Sequence, residues 1–503
     1  MSITNTFTKA LKRNIESTYT YAYVKNMGVS VSLNTYDPFD YFESYVEKEP
    51  FKAFMALERY AFRNTKRALD KYNIPYTKEQ EHRAKVFTDV TERMQQEKSD
   101  VVIMPEITDI ADTGIVRTSE GLTTEDTIES HEILNRLPRN KQTDNVLYES
   151  KLPKTLRDSK EQMAAIKNSL TNHMSVLIGG AGTGKSFVTA NIIDQLKANN
   201  KNVTILAPTH KAKDALQQKL NNGTVRTIHS FVHSNTADTS DVIVVDEAGM
   251  LSTPLFLSLI KKRFKKTECY YEGETRSRYS LRQIIFVGDK NQLAPIEYGR
   301  PFEKAMKLFP CFELKQNRRS ESPDIVALGR AVIDEPYNKN ISFDNVIEVS
   351  STNEAFKLGA EVVLTFTNNK VKEINNSKKI KNGVPAISPL FSVGDSIIAK
   401  TNERNYYNGQ LFEIVDRNLI QSQNGNQIKI KDARELEYNF DFAYGLTIHK
   451  SQGSEWETVA YMPSAYDTRN LAYVAITRAR KKLILIGELN GNLNKDKEWY
   501  QLN

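Results

Sequence analysis

The chain has 503 residues, too many for one hydrophobic core, so about two to four domains are expected. Hydrophobic residues make up 39% and charged residues 26% of it, which excludes a disordered or fibrous protein. No apolar run approaches the roughly 18 residues of a transmembrane helix, and no secretory signal pattern is present. The two cysteines, Cys269 and Cys311, are too few for a disulfide framework. We therefore expect a cytoplasmic protein without a membrane partner.

The net charge of +7 is unevenly distributed along the chain. Residues 1–150 carry 20 Lys and Arg against 24 Asp and Glu, whereas the remaining residues carry 49 against 38. Excess positive charge in the second part favours a polyanionic ligand there. Many solvated surfaces are equally basic, so this signal is weak alone.

The first part of the chain has a different composition from the rest. Residues 1–98 place aromatic and apolar side chains at roughly helical spacing, which predicts a mainly helical region with an aromatic core. Residues 100–134 hold nine acidic residues and one base, Arg117, which predicts a linker or a poorly packed flap. We assign residues 1–150 to an N-terminal accessory domain of unknown role that ends in this acidic linker.

From about residue 151, short β-branched runs alternate with amphipathic helical segments. The runs are 203–206, 242–245, 284–287, 362–366 and 483–486. Strands separated by helices are typical of parallel α/β units. The fold class expected for this part of the chain is therefore α/β.

The most specific pattern is a glycine-rich loop between an apolar run and a helical segment. Its residues are Gly179, Gly180, Ala181, Gly182, Thr183, Gly184, Lys185 and Ser186. Glycines let backbone N–H groups turn towards a polyphosphate, and the following helix adds the positive end of its dipole. In such a loop the lysine reaches the β- and γ-phosphates, and the serine hydroxyl binds Mg²⁺. The pattern predicts a site for a nucleoside triphosphate.

Two other strand ends carry groups suited to phosphate chemistry. Asp246 and Glu247 follow the run 242–245, and parallel sheets bind ligands at the carboxyl ends of their strands. We expect Asp246 to coordinate Mg²⁺ and Glu247 to act as general base on the attacking water. Gln292 follows the run 284–287, and its amide can donate to a γ-phosphate, so it can respond to whether that phosphate is present. The simpler alternative is that this loop is only a turn held by its side chains.

These segments belong to a series that resembles the superfamily 1 helicases, in particular their RecD and phage Dda branch. The series comprises the glycine-rich loop, 207–213, 227–230, Asp246-Glu247, 288–295, 314–320, 365–368, 446–453 and 473–480. Several motifs are weak alone, but their order over residues 151–490 is specific. Residues 1–150 take no part in the resemblance.

The resemblance implies two RecA-like P-loop domains that clasp ATP and Mg²⁺. The first would span residues 151–311, and the second 312–390 and 441–503. Residues 391–440 would form a small β-barrel inserted into the second domain.

The resemblance also implies further nucleotide contacts. Gln162 would bind the adenine edge, and Arg319 and Arg478 would bring guanidinium groups from the second domain to the γ-phosphate. Hydrolysis would then require the two domains to close. Taken singly, a helical Gln is ordinarily solvated and a lone Arg ordinarily forms a surface ion pair. Arg318 stands where another branch has an aromatic that stacks on adenine, so such stacking is not expected.

A path for single-stranded nucleic acid across both domains is implied as well. The side chains expected to contact it are Pro208, Thr209, His210, Thr227, His229, Asn368, Thr447, His449 and Lys450. Such groups bond phosphate oxygens or stack on a base without reading its identity. A solvated loop side chain is the alternative for each histidine taken singly.

One feature departs from the RecD and Dda branch. Its wedge hairpin lies between the segments matching 227–230 and Asp246-Glu247, but here only residues 231–241 separate them. Extra residues around 270–279 instead predict a β-hairpin that takes over strand separation.

The expected function is that of an ATP-dependent DNA helicase that moves, as the resemblance implies, 5′→3′ on single-stranded DNA. It would act on forked duplex DNA in replication, recombination or repair; a monomer is favoured, and the sequence leaves the oligomeric state open. One alternative is a translocase that remodels protein–DNA complexes with little unwinding. Another is a loader whose N-terminal region docks a replication partner.

Overall fold

The computed structural model of the chain is built around two parallel β-sheets. It describes residues 50–51, 62–71, 74–97, 99–220, 223–232, 234, 238–263, 266–271, 274–279, 282–295, 297–316, 318, 322–333, 344–378, 387–388, 390–403, 405–487 and 489. Within these ranges, no helix has both the length and the apolar character that a bilayer crossing requires.

The N-terminal part contains three helices and one short hairpin among its described residues. They are α1 (Phe62–Lys71), α2 (Lys78–Gln96), β1 (Ile115–Arg117), β2 (Leu122–Thr124) and α3 (Glu125–Arg136). Thr77 and Gln80 form a capping box at the start of α2, and the Thr124 hydroxyl caps α3. These caps explain why threonines stand at the element boundaries.

The acidic segment 100–134 differs from the predicted linker, because it is folded and packed on helices of the first parallel sheet. Its apolar residues Ile133 and Leu134 belong to the same buried cluster as Phe256 and Phe302. Several of its acids have partners distant in sequence: Asp126 accepts the Tyr298 hydroxyl at 2.8 Å, Asp100 accepts the Arg300 N–H at 3.1 Å, and Glu129 pairs with Lys261 at 2.9 Å. The interpretation as a linker or poorly packed flap was wrong because apolar residues of the segment are buried and these three acids have partners.

The first lobe (lobe 1, residues 152–314) is a six-stranded parallel sheet with helices on both faces. Its elements are α4 (Lys154–Arg157), α5 (Lys160–Thr171), β3 (Met174–Gly179), α6 (Lys185–Ala198), β4 (Val203–Ala207), α7 (His210–Gln217), β5 (Val225–Thr227), α8 (Ile228–Val232), β6 (Val242–Val245), α9 (Thr253–Arg263), β7 (Lys266–Tyr271), β8 (Glu274–Tyr279), β9 (Gln283–Gly288), α10 (Pro301–Leu308) and β10 (Cys311–Leu314). The strand order is β10-β3-β9-β6-β4-β5. Strand β10 pairs with β3, so lobe 1 extends to Leu314 instead of ending at residue 311.

Both faces of this sheet are buried, which explains why its strands are continuous apolar runs. In β3, Val176 and Ile178 belong to the cluster that contains residues of α9 and α10. Leu177, between them, belongs to the opposite cluster with residues of α5 and α6. The alternation fixes β3 in the sheet and therefore fixes where its C-terminal loop emerges.

The second lobe (lobe 2) is a five-stranded parallel sheet interrupted by an insertion. The elements are α11 (Pro323–Ile333), β11 (Val346–Val349), α12 (Thr352–Lys357), β12 (Val362–Thr365), α13 (Asn368–Ser377), β13 (Ser396–Ala399), β14 (Leu411–Asp416), β15 (Leu419–Ser422), β16 (Gln427–Lys429), α14 (Ala433–Asn439), β17 (Phe440–Phe442), β18 (Gly445–Thr447), α15 (Ile448–Ser451), β19 (Trp456–Tyr461), α16 (Arg469–Thr477) and β20 (Ala479–Ile486). The order in the parallel sheet is β11-β20-β19-β12-β18. The two parallel α/β lobes therefore agree with the fold class predicted from the sequence.

The insertion forms an antiparallel sheet in the order β16-β15-β14-β13-β17. It has its own core, which includes Ile397, Phe412 and Phe440. Its closure into a barrel stays a prediction, as does the helical character of the N-terminal domain as a whole.

The hairpin predicted near residues 270–279 is present. Strands β7 and β8 pair antiparallel with Lys266 opposite Tyr279 and Tyr271 opposite Glu274. The hairpin lies between α9 and β9 of lobe 1 in the chain.

Candidate nucleotide and strand-binding site

The glycine-rich loop joins the end of β3 to the start of α6. Gly182 and Gly184 have φ angles of 77° and 82°, in the left-handed region that glycine adopts at little cost. A Cβ on Gly179 would lie 2.6 Å from Thr183 Oγ1, so a side chain does not fit there either. The glycines therefore permit both the turn and the close backbone approach that a phosphate needs.

The Lys185 ammonium lies over this loop. Its Nζ donates to the Gly179 carbonyl oxygen at 2.6 Å and lies 3.9 Å from Asp289 Oδ2. Asp289 follows β9 directly and is 3% exposed. Asp289 was not among the residues predicted to act at the nucleotide, although a carboxylate at the end of a buried strand was already the signal used for Asp246.

The predicted carboxylate pair lies at the end of β6. Asp246 is buried, and burial together with the neighbouring Glu247 raises its pKa to about 7. Glu247 has a φ of 48°, an unusual conformation for a residue other than glycine. Such strain is frequent at functional sites. Two carboxylates in a partly desolvated position fit a hard divalent cation such as Mg²⁺, which prefers oxygen ligands.

Groups from both lobes line one cleft of about 880 Å³. Lobe 1 contributes Gly180, Ala181, Gly182, Gly184, Lys185, Ser186, Asp246, Glu247 and Gln292. Lobe 2 contributes Arg478, which is 7% exposed and donates to the carbonyl oxygens of Val474 at 3.1 Å and Ser454 at 3.3 Å. The structure thus brings together most of the residues that were predicted to bind the nucleotide.

Two residues outside the loop also lie against it. Gln162 is buried on α5, and its Nε2 would lie 3.1 Å from a Cβ on Gly184. The Arg318 backbone N–H donates to the Gly182 carbonyl oxygen at 2.7 Å, and the Arg318 guanidinium donates to Ser159 Oγ at 2.5 Å. Arg319, which was predicted to reach the γ-phosphate, lies outside the described residues.

The predicted strand-binding residues of lobe 1 lie at neighbouring strand ends. Ala207 at the end of β4 pairs with Thr227 at the end of β5. This pairing brings the segment Pro208, Thr209 and His210 next to the segment Thr227 to His229.

The threonine hydroxyls of these segments have a second task. Thr209 Oγ1 accepts the Ala212 N–H, and Thr227 Oγ1 accepts the Ser230 N–H, both at 3.1 Å. A hydroxyl that accepts one hydrogen bond still has its own proton to donate. Thr209 can therefore cap its helix and donate to an anion at the same time, whereas Thr227 is buried, at 4% exposure.

Lobe 2 repeats this arrangement. Thr365 at the end of β12 pairs with Thr447 at the end of β18, which brings Asn368 near Thr447, His449 and Lys450. Thr447 Oγ1 accepts the Lys450 N–H at 3.3 Å and caps α15. Asn368, His449 and Lys450 are exposed, as contact with a ligand requires, whereas Thr447 is buried.

Beside His449, lobe 2 also carries an aromatic pair that the sequence analysis missed. Phe366 and Tyr466 are stacked with centroids 6.1 Å apart, and the His449 ring lies 6.5 Å from Phe366. Tyr466 is 62% exposed. Exposed aromatic faces beside cationic groups are the usual platform for unpaired bases.

The two strand-binding sets meet where the lobes touch. Lys211 Nζ donates to the Lys450 carbonyl oxygen at 2.6 Å, and burial and the Lys450 charge lower the pKa of Lys211 to about 8. His210 stacks on Tyr407 of the insertion, and burial lowers the pKa of this histidine. Neither Lys211 nor Tyr407 was singled out from the sequence, since their partners are distant along the chain.

Comparison with known proteins gives two family matches. An AAA domain matches residues 157–343, and a UvrD-like helicase C-terminal domain matches residues 442–486.

Curated relatives and solved structures are similar at low identity. The ATP-dependent RecD2 DNA helicase of Deinococcus radiodurans is 28% identical over 380 residues, covering 67% of this chain and 50% of that protein. The RecBCD enzyme subunit RecD of Buchnera aphidicola subsp. Acyrthosiphon pisum is 22% identical over 461 residues, covering 66% and 73%. The Pif1 helicase structure from Candida albicans has a TM-score of 0.47 and 19% identity, covering 68% and 98%. This chain spans only half the length of the RecD2 protein. The family models and curated relatives confirm the resemblance drawn from the motifs.

Proposed function

We propose that this chain, a superfamily 1 helicase of the RecD/Dda-like type, hydrolyses ATP to move along single-stranded DNA. The observation that carries the proposal is the cleft itself, which is lined by the phosphate loop of lobe 1 and by Arg478 of lobe 2. A nucleotide that binds groups on both lobes favours their approach, and its hydrolysis removes that preference. Chemistry in the cleft is thereby coupled to relative movement of the lobes.

Each predicted nucleotide-binding residue is assigned a role. The loop N–H groups and Lys185 would bind the β- and γ-phosphates, and Gln162 would bind the adenine. Glu247 would take a proton from the attacking water, while Gln292 would contact the γ-phosphate. Arg478, and Arg319 in the family's motif order, would stabilise charge in the transition state.

Ser186 and Asp246 would hold Mg²⁺. When bound, the ion neutralises charge that develops on the phosphate oxygens. Burial of Asp246 beside Glu247 supports this assignment, because a cation offsets the cost of two adjacent carboxylates.

The strand would run over the carboxyl ends of β4, β5, β12 and β18. Each lobe has its own set of hydroxyl and imidazole groups there, and the two sets touch through Lys211 and Lys450. Alternating grip by the two sets would produce stepping when the lobes open and close. We also propose that the protein moves in the 5′→3′ direction and acts on forked DNA, because its motifs resemble those of the RecD and Dda branch.

ATP hydrolysis with and without single-stranded DNA tests the proposal. Lys185→Ala should abolish hydrolysis, whereas Lys167→Ala, at an exposed lysine on α5, should not affect it. His449→Ala should weaken the stimulation by DNA and leave nucleotide affinity nearly intact. A loss of nucleotide affinity alone in His449→Ala would contradict the placement of the strand.

Unwinding of duplexes with a 5′ or a 3′ single-stranded tail tests direction. We expect unwinding of the 5′-tailed substrate only. Hydrolysis and protein displacement without unwinding of either substrate would favour the remodelling translocase instead.

A further inference from the structure

The hydroxyl of Tyr473 joins the two lobes at the phosphate loop. Tyr473 lies on α16 of lobe 2 and is 2% exposed. Its oxygen accepts the Ala181 N–H at 2.8 Å, and its proton is donated to Asp289 Oδ2 at 2.9 Å. One turn earlier on the same helix, Asn470 donates to the Asn291 carbonyl oxygen at 2.9 Å. Both residues bond from lobe 2 to the loops around the nucleotide cleft.

The charges around this hydroxyl fix the direction of its hydrogen bonds. Burial and the Asp289 carboxylate raise the pKa of Tyr473 well above its ordinary value, so the proton stays on the tyrosine. The same Asp289 oxygen lies 3.9 Å from Lys185 Nζ. Asp289 accepts a hydrogen bond from the tyrosine hydroxyl, so a lone pair of the tyrosine oxygen accepts the Ala181 N–H. Lys185, Asp289, Tyr473 and Ala181 thus form one continuous chain of polar contacts between the two lobes.

From this geometry we infer that Tyr473 is a positioning residue whose hydroxyl competes with a nucleotide phosphate for the Ala181 N–H. The inference rests on the proposed function, because it requires a nucleoside triphosphate in the cleft. A backbone N–H has one proton and makes one strong hydrogen bond. Loop N–H groups are the ligands that phosphates take in such a site. A phosphate at this N–H therefore displaces the hydroxyl.

Displacement of the hydroxyl has a consequence for lobe 2. Arg478 is the C-cap residue of the helix that carries Tyr473. When the hydroxyl leaves the Ala181 N–H, α16 loses one of its contacts with the cleft loops and keeps that of Asn470, which favours movement of the helix and of Arg478 with it. Nucleotide binding therefore replaces a contact between the lobes. Because of this exchange, nucleotide binding and the loss of the lobe contact are coupled.

Tyr473→Phe distinguishes two roles of the hydroxyl: competition with a phosphate for the Ala181 N–H, and structural support of the phosphate loop. The variant keeps the buried ring and removes the competitor, so the affinity for nucleotide should rise about twofold to tenfold, the range that one net hydrogen bond corresponds to. If the hydroxyl instead supports the loop or binds the phosphate itself, affinity should fall. Calorimetric titration of the full chain with Mg²⁺ and the non-hydrolysable analogue AMPPNP measures the difference.

The chain offers a matched control in the same lobe. Tyr461 is fully buried, and its hydroxyl donates to Asp467 Oδ2 at 2.6 Å. Both partners of this bond belong to lobe 2, so it does not reach the phosphate loop. Tyr461→Phe removes the same kind of bond and should leave AMPPNP affinity unchanged within about twofold. A rise in affinity in both variants would reveal a general loosening of lobe 2 and overturn the inference.

A second readout follows the coupling itself. Stimulation of hydrolysis by single-stranded DNA should fall in Tyr473→Phe. The variant lacks the hydrogen bond between Tyr473 and Ala181, so nucleotide binding no longer has to replace a contact between the lobes. Equal affinity and equal stimulation in wild type and variant would overturn the inference. Wild-type protein that binds no AMPPNP would instead contradict the proposed function. Tyr473→Leu, which also lacks the hydroxyl, serves if the phenylalanine variant does not fold, and the same rise in affinity is expected.

Discussion

The imidazole of His210 lies flat on the ring of Tyr407, with centroids 4.5 Å apart and 20° between the planes. His210 opens α7 of lobe 1, whereas Tyr407 belongs to the insertion of lobe 2. The Tyr407 hydroxyl also donates to Asp214 on α7 at 2.7 Å. The insertion is therefore fixed to a lobe 1 helix that borders the nucleotide cleft, since Tyr407 and Asp214 also line the cleft.

Tyr407→Phe tests how firmly this contact holds the insertion. The variant keeps the stack and loses the hydrogen bond to the Asp214 carboxylate, a type of bond that contributes about 1.5–3 kcal/mol. We expect a lower free energy of unfolding by an amount in that range, measured by chemical denaturation. Tyr438, which is 78% exposed on the insertion, provides the control, and Tyr438→Phe should not change stability. Equal stabilities of all three proteins would contradict the contact.

Glu247→Gln should separate nucleotide binding from hydrolysis. The amide has nearly the same shape but cannot accept the proton of the attacking water, so the rate should fall by about 10²–10⁴-fold. Binding of AMPPNP should stay close to that of the wild type. Single-turnover hydrolysis and calorimetry give the two quantities. A variant that hydrolyses ATP at the wild-type rate would assign the general base to another group.

The local parts of the site were readable from the sequence because each depends on a short segment. The glycine-rich loop needs only the consecutive residues 179–186, and Asp246 needs only the apolar run before it. The buried, parallel strands follow from their continuous β-branched runs for the same reason. Local pattern and final structure agree wherever the physical cause is local.

The contacts between lobes were not predictable because their partners are far apart along the chain. Tyr473 lies 292 residues from Ala181, and Tyr407 lies 193 residues from Asp214. The acidic segment was misinterpreted for the same reason, since Asp100 meets the Arg300 N–H across 200 residues. A single sequence shows where charged and aromatic side chains stand along the chain. It does not show which distant residue pairs with the charge or packs on the ring.

Stability should depend on pH through Lys211. Its pKa is about 8 in the folded chain because the ammonium is buried beside Lys450, against an ordinary value of 10.5. Below about pH 8 both folded and unfolded states carry the proton, and the folded state bears the cost of the buried charge. Between the two pKa values only the unfolded state keeps it, so the contribution of Lys211 to stability rises with pH.

Lys211→Met removes this dependence. The difference in unfolding free energy, wild type minus variant, should increase by about 1–3 kcal/mol between roughly pH 7 and roughly pH 10, the lower end reflecting partial access of solvent to the lysine. Chemical denaturation of both proteins at the two pH values measures it, and other titrating groups cancel in the difference. A difference that stays constant or shrinks as the pH rises would contradict the lowered pKa.

Tyr466 should contribute to strand binding through its exposed ring. Stacking of a base on an aromatic side chain contributes about 1–3 kcal/mol, so Tyr466→Ala should weaken single-stranded DNA binding by roughly tenfold or more. Fluorescence anisotropy with a labelled oligonucleotide measures the affinity. Tyr438→Ala, at another exposed tyrosine of the described chain, should bind as wild type. An equal loss in both variants would argue for a general effect on lobe 2 and its insertion.

The hairpin β7–β8 should separate strands without taking part in ATP hydrolysis. Its two strands lie between α9 and β9 and form a sheet of their own, so the parallel sheet of lobe 1 does not depend on them. Replacing residues 267–278 by a short Gly-Ser turn should therefore leave DNA-stimulated hydrolysis close to the wild-type rate. Duplex unwinding should slow by about tenfold or more, which corresponds to about 1.4 kcal/mol or more in the barrier to strand separation.

Both rates are measured on the same hairpin variant, so its hydrolysis reports whether lobe 1 is intact. A forked duplex with a 5′ single-stranded tail serves for unwinding, and the unpaired strand alone serves for hydrolysis. Unwinding at the wild-type rate would reject the hairpin as the wedge. A parallel loss of hydrolysis would show that the hairpin supports the motor instead, because a steric wedge acts on the duplex and not on the nucleotide cleft.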